Sequence, residues 1–356
     1  MSQINLMNLV CDNVKNLKAY QVETLEDGIK LHANENPYPP SAELIKKTLE
    51  RFEKLDLNRY PDPDCKQLKE AISTRIGVPT NQLVIGNGSD ELIQSLMQVF
   101  CDEGDTIAFP DPTFAMYAIT AKGMGLKVKT FPLNKNWDFE AEPLIEKLTA
   151  SHARIVFISY PNNPTGNCFS QTEIQKLIEN FEGIVVLDEA YYDFSGLSFL
   201  DQMEKHNNLV ILRSLSKIGL AGLRVGYGIY PHIIAAEINK VRLPYNSNSV
   251  SQIMATELLN NFDPVQKQIN SIKEERARLM GRLEGIDSIT AFPSDANFIL
   301  FQASENGENV FKNLMKNGIL IRNLGGHPML KNCLRVTIGT QAENDQFLDR
   351  LIQAAN

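Results

Sequence analysis

From residue 83 to residue 229 the chain alternates short apolar runs with segments of helical spacing. The runs are Leu83–Ile85, Thr106–Phe109, Lys127–Phe131, Arg154–Ser159, Ile184–Leu187, Leu209–Arg213 and Val225–Ile229. Helix-period segments such as Glu91–Phe100 and Thr172–Asn180 lie between several of them. Apolar runs this short, joined through helices, predict an α/β fold with a mainly parallel, seven-stranded sheet covered by helices on both faces. A ligand of such a sheet binds beyond the carboxyl ends of the strands.

After Pro244 the texture changes. Ser249–Phe262 and Val265–Leu283 read as two helices, the second long and charged. A strand over Asn297–Phe301, a helix near Glu308–Asn317 and a strand near Leu334–Ile338 predict a smaller α+β lobe. The first thirty or so residues fit no sheet pattern and read as an arm that packs on something else. The expected division is an arm over residues 1–30, a large domain over 31–240 and a small C-terminal domain over 241–356.

Bulk properties narrow the function classes. The 356 residues are 43% hydrophobic and 22% charged, the balance of an ordinary globular protein. A net charge of -8, with no basic stretch to offset it, argues against a nucleic-acid partner. No apolar run approaches the roughly 18 residues that span a bilayer. The start, Met1-Ser2-Gln3-Ile4-Asn5-Leu6, lacks the features of a signal peptide. Five scattered cysteines have no metal-type spacing, so reduced thiols, no metal and a cytoplasmic location are expected.

Four segments at predicted strand ends carry chemistry. Lys217 lies in Arg213-Ser214-Leu215-Ser216-Lys217, followed by small residues and then Arg224. Hydroxyls, glycines and one cation around an amine point to a lysine held beside a phosphate. Asp188 ends the apolar run Ile184–Leu187; it reads either as the cap of a following helix or as a partly desolvated acid in need of a cationic partner. Gly86-Asn87-Gly88-Ser89-Asp90-Glu91 reads as a glycine turn with Ser89 or Asp90 capping a helix, or as a phosphate site at that helix's N-terminus. Ser159-Tyr160-Pro161-Asn162-Asn163-Pro164-Thr165-Gly166 is a rigid connector, or a turn that aims an asparagine amide at a ligand oxygen. A lysine for an aldehyde and a carboxylate for a pyridine nitrogen are the two groups pyridoxal phosphate requires. Desolvation and the cation Arg224 are expected to lower the pKa of Lys217 toward neutrality, as a proton carrier needs.

Together these segments resemble fold-type I, pyridoxal-phosphate-dependent aminotransferases, and specifically the histidinol-phosphate aminotransferases. The resemblance runs through His32–Pro37, Arg59–Asp62, Gly86–Glu91, Pro112–Phe114, Pro161–Gly166, Asp188–Tyr191, Ser216-Lys217, Pro244–Asn246, Ala296–Phe298 and Leu334–Thr337. It implies Lys217 as the residue that forms the Schiff base and Asp188 at the pyridine nitrogen, with Asn163 and Tyr191 at the phenolic oxygen. It implies Ser89, Asp90, Ser214, Ser216 and Arg224 around the phosphate and Phe114 stacked on the ring. Tyr60 would reach the cofactor phosphate of a second subunit and Tyr20 its substrate pocket, which implies a homodimer with shared sites. Arg335 would take glutamate's α-carboxylate, and Arg322, Arg335 and Tyr20 the substrate phosphate.

Two positions depart from the family pattern. Phe114 stands where tyrosine is common, so stacking survives without a phenol. The interval from Lys217 to Arg224 is one residue shorter than usual. The implied reaction is transamination between L-histidinol phosphate and 2-oxoglutarate in histidine biosynthesis. Within the same fold, an aromatic amino acid aminotransferase and a threonine-phosphate-type decarboxylase share these motifs and stand as alternatives.

Overall fold

All seven expected strands form in the computed structural model, which describes residues 4–19, 24 and 26–355. They are β1 (Leu83–Asn87), β2 (Thr106–Asp111), β3 (Lys127–Pro132), β4 (Ala153–Ser159), β5 (Ile184–Asp188), β6 (Leu209–Ser214) and β7 (Val225–Ile229). They join one sheet in the order β1-β7-β6-β5-β4-β2-β3. Strands β2 to β6 are parallel, whereas β7 runs antiparallel to both β6 and β1.

The burial pattern explains the apolar runs. In the centre β6 is buried at every position, so neither face needs polar residues. At the rim β3 exposes Lys127 and Lys129, charges that discourage pairing with another strand. Side chains alternate between two cores, as a period of two demands. Val186, Val210 and Leu212 pack with Leu92, Leu96 and Ile238 on one face. Val185, Leu187 and Ile211 pack with Ile174 and Leu177 on the other, where the core continues into the C-terminal lobe through Phe298 and Phe301.

The reversal of β7 has a local consequence. Its first residue, Val225, pairs with the last residue of β1, Asn87, and Gly226 pairs with Ser214 at the end of β6. The turn before β7 therefore lies at the same edge as the carboxyl ends of β1, β5 and β6. Gly226 permits this approach, because a Cβ there would lie 2.4 Å from the Ser89 backbone nitrogen.

The C-terminal lobe contains helices Ser249–Asn260 and Asp263–Glu284 and a second sheet. Its strands are β8 (Ile289–Ala291), β9 (Phe298–Ala303), β10 (Arg322–Asn323) and β11 (Cys333–Thr337), antiparallel in the order β10-β11-β9-β8. Ile319–Leu320 does not join this sheet but pairs in parallel with Ile29–Lys30. The arm carries short helical turns at Leu6–Leu9 and Asp12–Lys15, and Asn13 Nδ2 donates to the Gly123 carbonyl at 2.9 Å.

Behind the strand ends, Glu189 and Arg213 form an ion pair at 2.9 Å with both side chains almost fully buried. Ser198 and the Phe199 N–H also donate to Glu189, and Arg213 stacks over Tyr192 at 3.7 Å. Each member adjoins a pocket residue, Asp188 or Ser214, so the pair braces two strand ends at once. Removing one partner leaves a buried, uncompensated charge. Glu189→Ala is expected to destabilise the fold by about 3–5 kcal/mol, measured by urea unfolding; a loss below about 1 kcal/mol would show that the pair does not brace the edge.

Candidate active site

A cavity of about 490 Å³ opens at the shared strand edge. It collects residues from the start of the helix after β1, from β4, β5, β6, the turn before β7, the segment 32–35 and the small sheet. Most of the expected site residues line it: Ser89, Asp90, Phe114, Asn163, Asp188, Tyr191, Ser214, Ser216, Lys217, Arg224, Arg322 and Arg335. Tyr60 is absent from the lining; it is 80% exposed and stacks on Tyr245 with ring centroids 4.4 Å apart. Tyr20 lies outside the described residues.

Asp188 closes the floor of the cavity and is only 3% exposed. Its carboxylate accepts from the Tyr117 hydroxyl at 2.8 Å and from the Ala190 N–H at 3.2 Å. Burial pushes its pKa up to about 6, and those two donors oppose the rise. Asp188 does not cap the next helix, Tyr192–Ser195, whose N-cap is Tyr191. Tyr117 was not among the expected site residues. It lies in the helix Met116–Gly123, three positions after Phe114, whose ring it meets edge-on, and it is fully buried.

Lys217 stands in a short 3-10 turn, Ser216–Ile218, and its Nζ donates to the Ala33 carbonyl at 3.2 Å. Desolvation draws its pKa down to about 8, helped first by Arg335 and less by Arg224, while Glu35 and Asp90 pull the other way. Arg335, not Arg224, is therefore the leading cation at this amine. Arg335 is expected from the resemblance as an anion ligand and not as the cation at Lys217, because it reaches that amine from the second sheet.

One end of the cavity suits a phosphate. Helix Ser89–Phe100 starts there with Gly88 as N-cap at φ 79°, so neither Ser89 nor Asp90 caps it. The hydroxyls of Ser214 and Ser216 flank it, and Ser214 Oγ accepts the Ser216 N–H at 3.1 Å. Arg224 adopts the left-handed region at φ 54°, donates to Ser216 Oγ at 3.4 Å and pairs with Asp90 at 3.0 Å. The shortened interval after Lys217 thus still delivers the guanidinium to the cavity. Asp90 meets this end through Arg224, which it holds in place.

At the other end two arginines lie side by side. Arg322 and Arg335 are Cα partners on β10 and β11. Arg335 donates to the Asn163 side-chain carbonyl and, at 2.9 Å, to the His32 carbonyl. Tyr191 accepts from Asn34 Nδ2 at 2.9 Å, and Phe114 meets Tyr117 edge-on at 5.5 Å between centroids.

The residues present fit pyridoxal phosphate. A helix N-terminus, two serine hydroxyls and Arg224 match a dianion. A buried carboxylate opposite them matches a protonated pyridine nitrogen, a desolvated lysine matches an aldehyde, and Phe114 supplies an aromatic wall. Without a cationic partner, ionised Asp188 costs stability, and the sign follows from its raised pKa. The unfolded chain loses this proton near pH 4 and the folded chain near pH 6, so the cofactor-free protein loses stability as pH rises through that window. Asp188→Asn is expected to flatten this fall by about 2 kcal/mol, read by urea unfolding of cofactor-free protein at about pH 4.5 and 6.5. An equal slope in the variant would show that Asp188 is not the group responsible.

Comparison with known proteins agrees with this geometry. Residues 26–351 match the family described as Aminotransferase class I and II. The chain is 39% identical over 354 residues to histidinol-phosphate aminotransferase 2 of Nitrosococcus oceani, covering 99% of this chain and 98% of that protein. It is 40% identical over 344 residues to the histidinol-phosphate aminotransferase of Aquifex aeolicus, covering 96% and 97%. In three dimensions it superposes on the histidinol-phosphate aminotransferase of Sinorhizobium meliloti, solved in complex with pyridoxal-5'-phosphate, with a TM-score of 0.89. That likeness covers 97% of both chains at 22% identity and speaks for the fold. The chain belongs to the class I and II aminotransferases, in the histidinol-phosphate aminotransferase family.

Proposed function

We propose that this chain transfers the amino group between L-histidinol phosphate and 2-oxoglutarate, giving imidazole-acetol phosphate and glutamate, as a step of histidine biosynthesis in the cytoplasm. The observation that carries the reading is one cavity holding a desolvated lysine, a desolvated aspartate and two adjacent arginines. Identity of 39–40% to histidinol-phosphate aminotransferases over nearly the whole chain supports the substrate.

Pyridoxal phosphate, when bound, supplies an aldehyde for amino-group exchange and a protonated ring that takes up the electron pair left at the substrate α-carbon. Each residue has a defined task around it. Asp188 holds the proton on the pyridine nitrogen, and that cation relieves the desolvation of the carboxylate. Lys217 would hold the cofactor at its aldehyde, and its Nζ would carry the proton of the substrate α-carbon. An amine near pKa 8 is suited to that exchange at neutral pH. Ser89, Ser214, Ser216 and Arg224 bind the phosphate, with Asp90 orienting Arg224. Asn163 and Tyr191 donate to the phenolic oxygen, and Phe114 covers one ring face. Arg335 takes the α-carboxylate of glutamate, while Arg322, Arg335 and Tyr20 take the substrate phosphate.

The active form is a homodimer in which Tyr60 reaches the partner's cofactor phosphate. An exposed tyrosine stack beside exposed Leu57 and Leu243 supports this, since such a patch gains by burial against a second copy. Sedimentation is expected to give a dimer at micromolar concentration; a fully active monomer would overturn the shared site. In the second test, glutamate alone should convert the cofactor's visible band from the aldehyde form to the amine form. The Lys217→Ala variant should lower turnover by at least about 10²–10⁴-fold while retaining cofactor non-covalently. Histidinol phosphate should then exceed phenylalanine and O-phosphothreonine in kcat/KM. A wild-type band unmoved by glutamate would sink the transaminase reading.

A further inference from the structure

Four consecutive carbonyls, from Leu31 to Asn34, each accept from a different group of the site or its surroundings. The Thr337 N–H donates to Leu31 at 2.9 Å and Arg335 to His32 at 2.9 Å. Lys217 donates to Ala33 at 3.2 Å, and Asn297 Nδ2 to Asn34 at 3.0 Å. One segment thus ties the lysine that follows β6 to β11 and to Asn297, the residue before β9. It turns at Asn34, which is 1% exposed and lies in the left-handed region at φ 56°. Asparagine is among the few residues that tolerate this backbone.

The side chain of Asn34 is oriented by its own network. The Asn34 N–H donates to Thr337 Oγ1 at 2.9 Å, and that hydroxyl donates its single proton to Asn34 Oδ1 at 3.2 Å. With Oδ1 held by Thr337, Nδ2 is the atom that faces Tyr191, whose oxygen accepts it at 2.9 Å. Tyr191 has one proton to give, and an amide N–H arriving at its oxygen directs that proton elsewhere. The ring is meanwhile fixed by Phe298, edge-on at 5.2 Å.

We propose that Asn34 is a positioning residue that forces Tyr191 to act as a hydrogen-bond donor toward the phenolic oxygen of the bound cofactor. The inference rests on the transaminase reading and on the place given there to Tyr191. Asn34 acts through the phenol, so its loss changes the polarity of that contact more than the shape of the cavity. Asn34→Asp keeps the shape and the left-handed turn, but its carboxylate accepts the phenol proton and turns Tyr191 away from the cofactor. Asn34→Gly keeps the turn and removes the amide altogether.

The test is a pH titration of the visible band of the cofactor-loaded protein, because a donor at the phenolic oxygen stabilises its anion and lowers the midpoint. N34D is expected to raise the midpoint by about one pH unit and N34G to raise it by less. Tyr191→Phe should raise it too, and adding N34D to Tyr191→Phe should add no more than about 0.2 unit, since both act through one hydrogen bond. In N34D kcat should fall by about tenfold with KM for glutamate changed less than about twofold. Fully additive shifts, or reduced thermal stability with unmoved midpoints in N34D and N34G, would overturn the proposal. Failure of the transaminase reading shows separately, as a wild-type band that glutamate leaves unchanged.

Discussion

The antiparallel pairing of β7 with both β1 and β6 is the constraint on which this site depends. Had β7 run parallel to its neighbours, the turn carrying Arg224 would lie at the far end of the sheet. Instead Val225 is level with Asn87, and Gly226 is level with Ser214. The guanidinium, the helix start at Ser89 and the serine hydroxyls then converge at one end of the cavity. The pairing is close enough that Gly226 and Ser89 nearly touch, so glycine at this position is a requirement of the architecture.

Desolvation does the chemical work at that edge. The same burial raises the pKa of Asp188 and lowers that of Lys217, bringing both toward neutrality from opposite sides. Neither group reaches this state through its sequence neighbours alone. Asp188 is held by Tyr117, on the helix after β2, and Lys217 by Ala33 and the field of Arg335. The buried Glu189–Arg213 pair lies one residue away from Asp188 and from Ser214 and fixes the strand ends that carry them. Two charged systems therefore stand back to back, one internally compensated and one completed by a ligand.

Much of the fold was legible in the chain. Runs such as Leu209–Leu212 are apolar at every position because the central strands are covered on both faces, and that signature survives without any knowledge of neighbours. The helix boundaries moved by one or two residues, and Ser89 and Asp90 gave up the capping role that local preference assigns them to Gly88. In the site, residues at strand ends were found because strand ends are visible in a pattern. Tyr117 and Asn34 were missed because their partners, Asp188 and Tyr191, are distant in sequence and no local periodicity links them.

The sequence by itself determined which elements form and which side chains fall at the working edge, since period, strand ends and turn residues are local properties. It also determined the family, through ten short segments in order. The tertiary structure decided how those residues are charged and aimed. It made Arg335, from the second sheet, the main cation at Lys217, set Asp90 against Arg224, and placed four carbonyls of residues 31–34 under four donors. Burial and long-range hydrogen bonds depend on what the fold brings near, and that distance is not written along the chain.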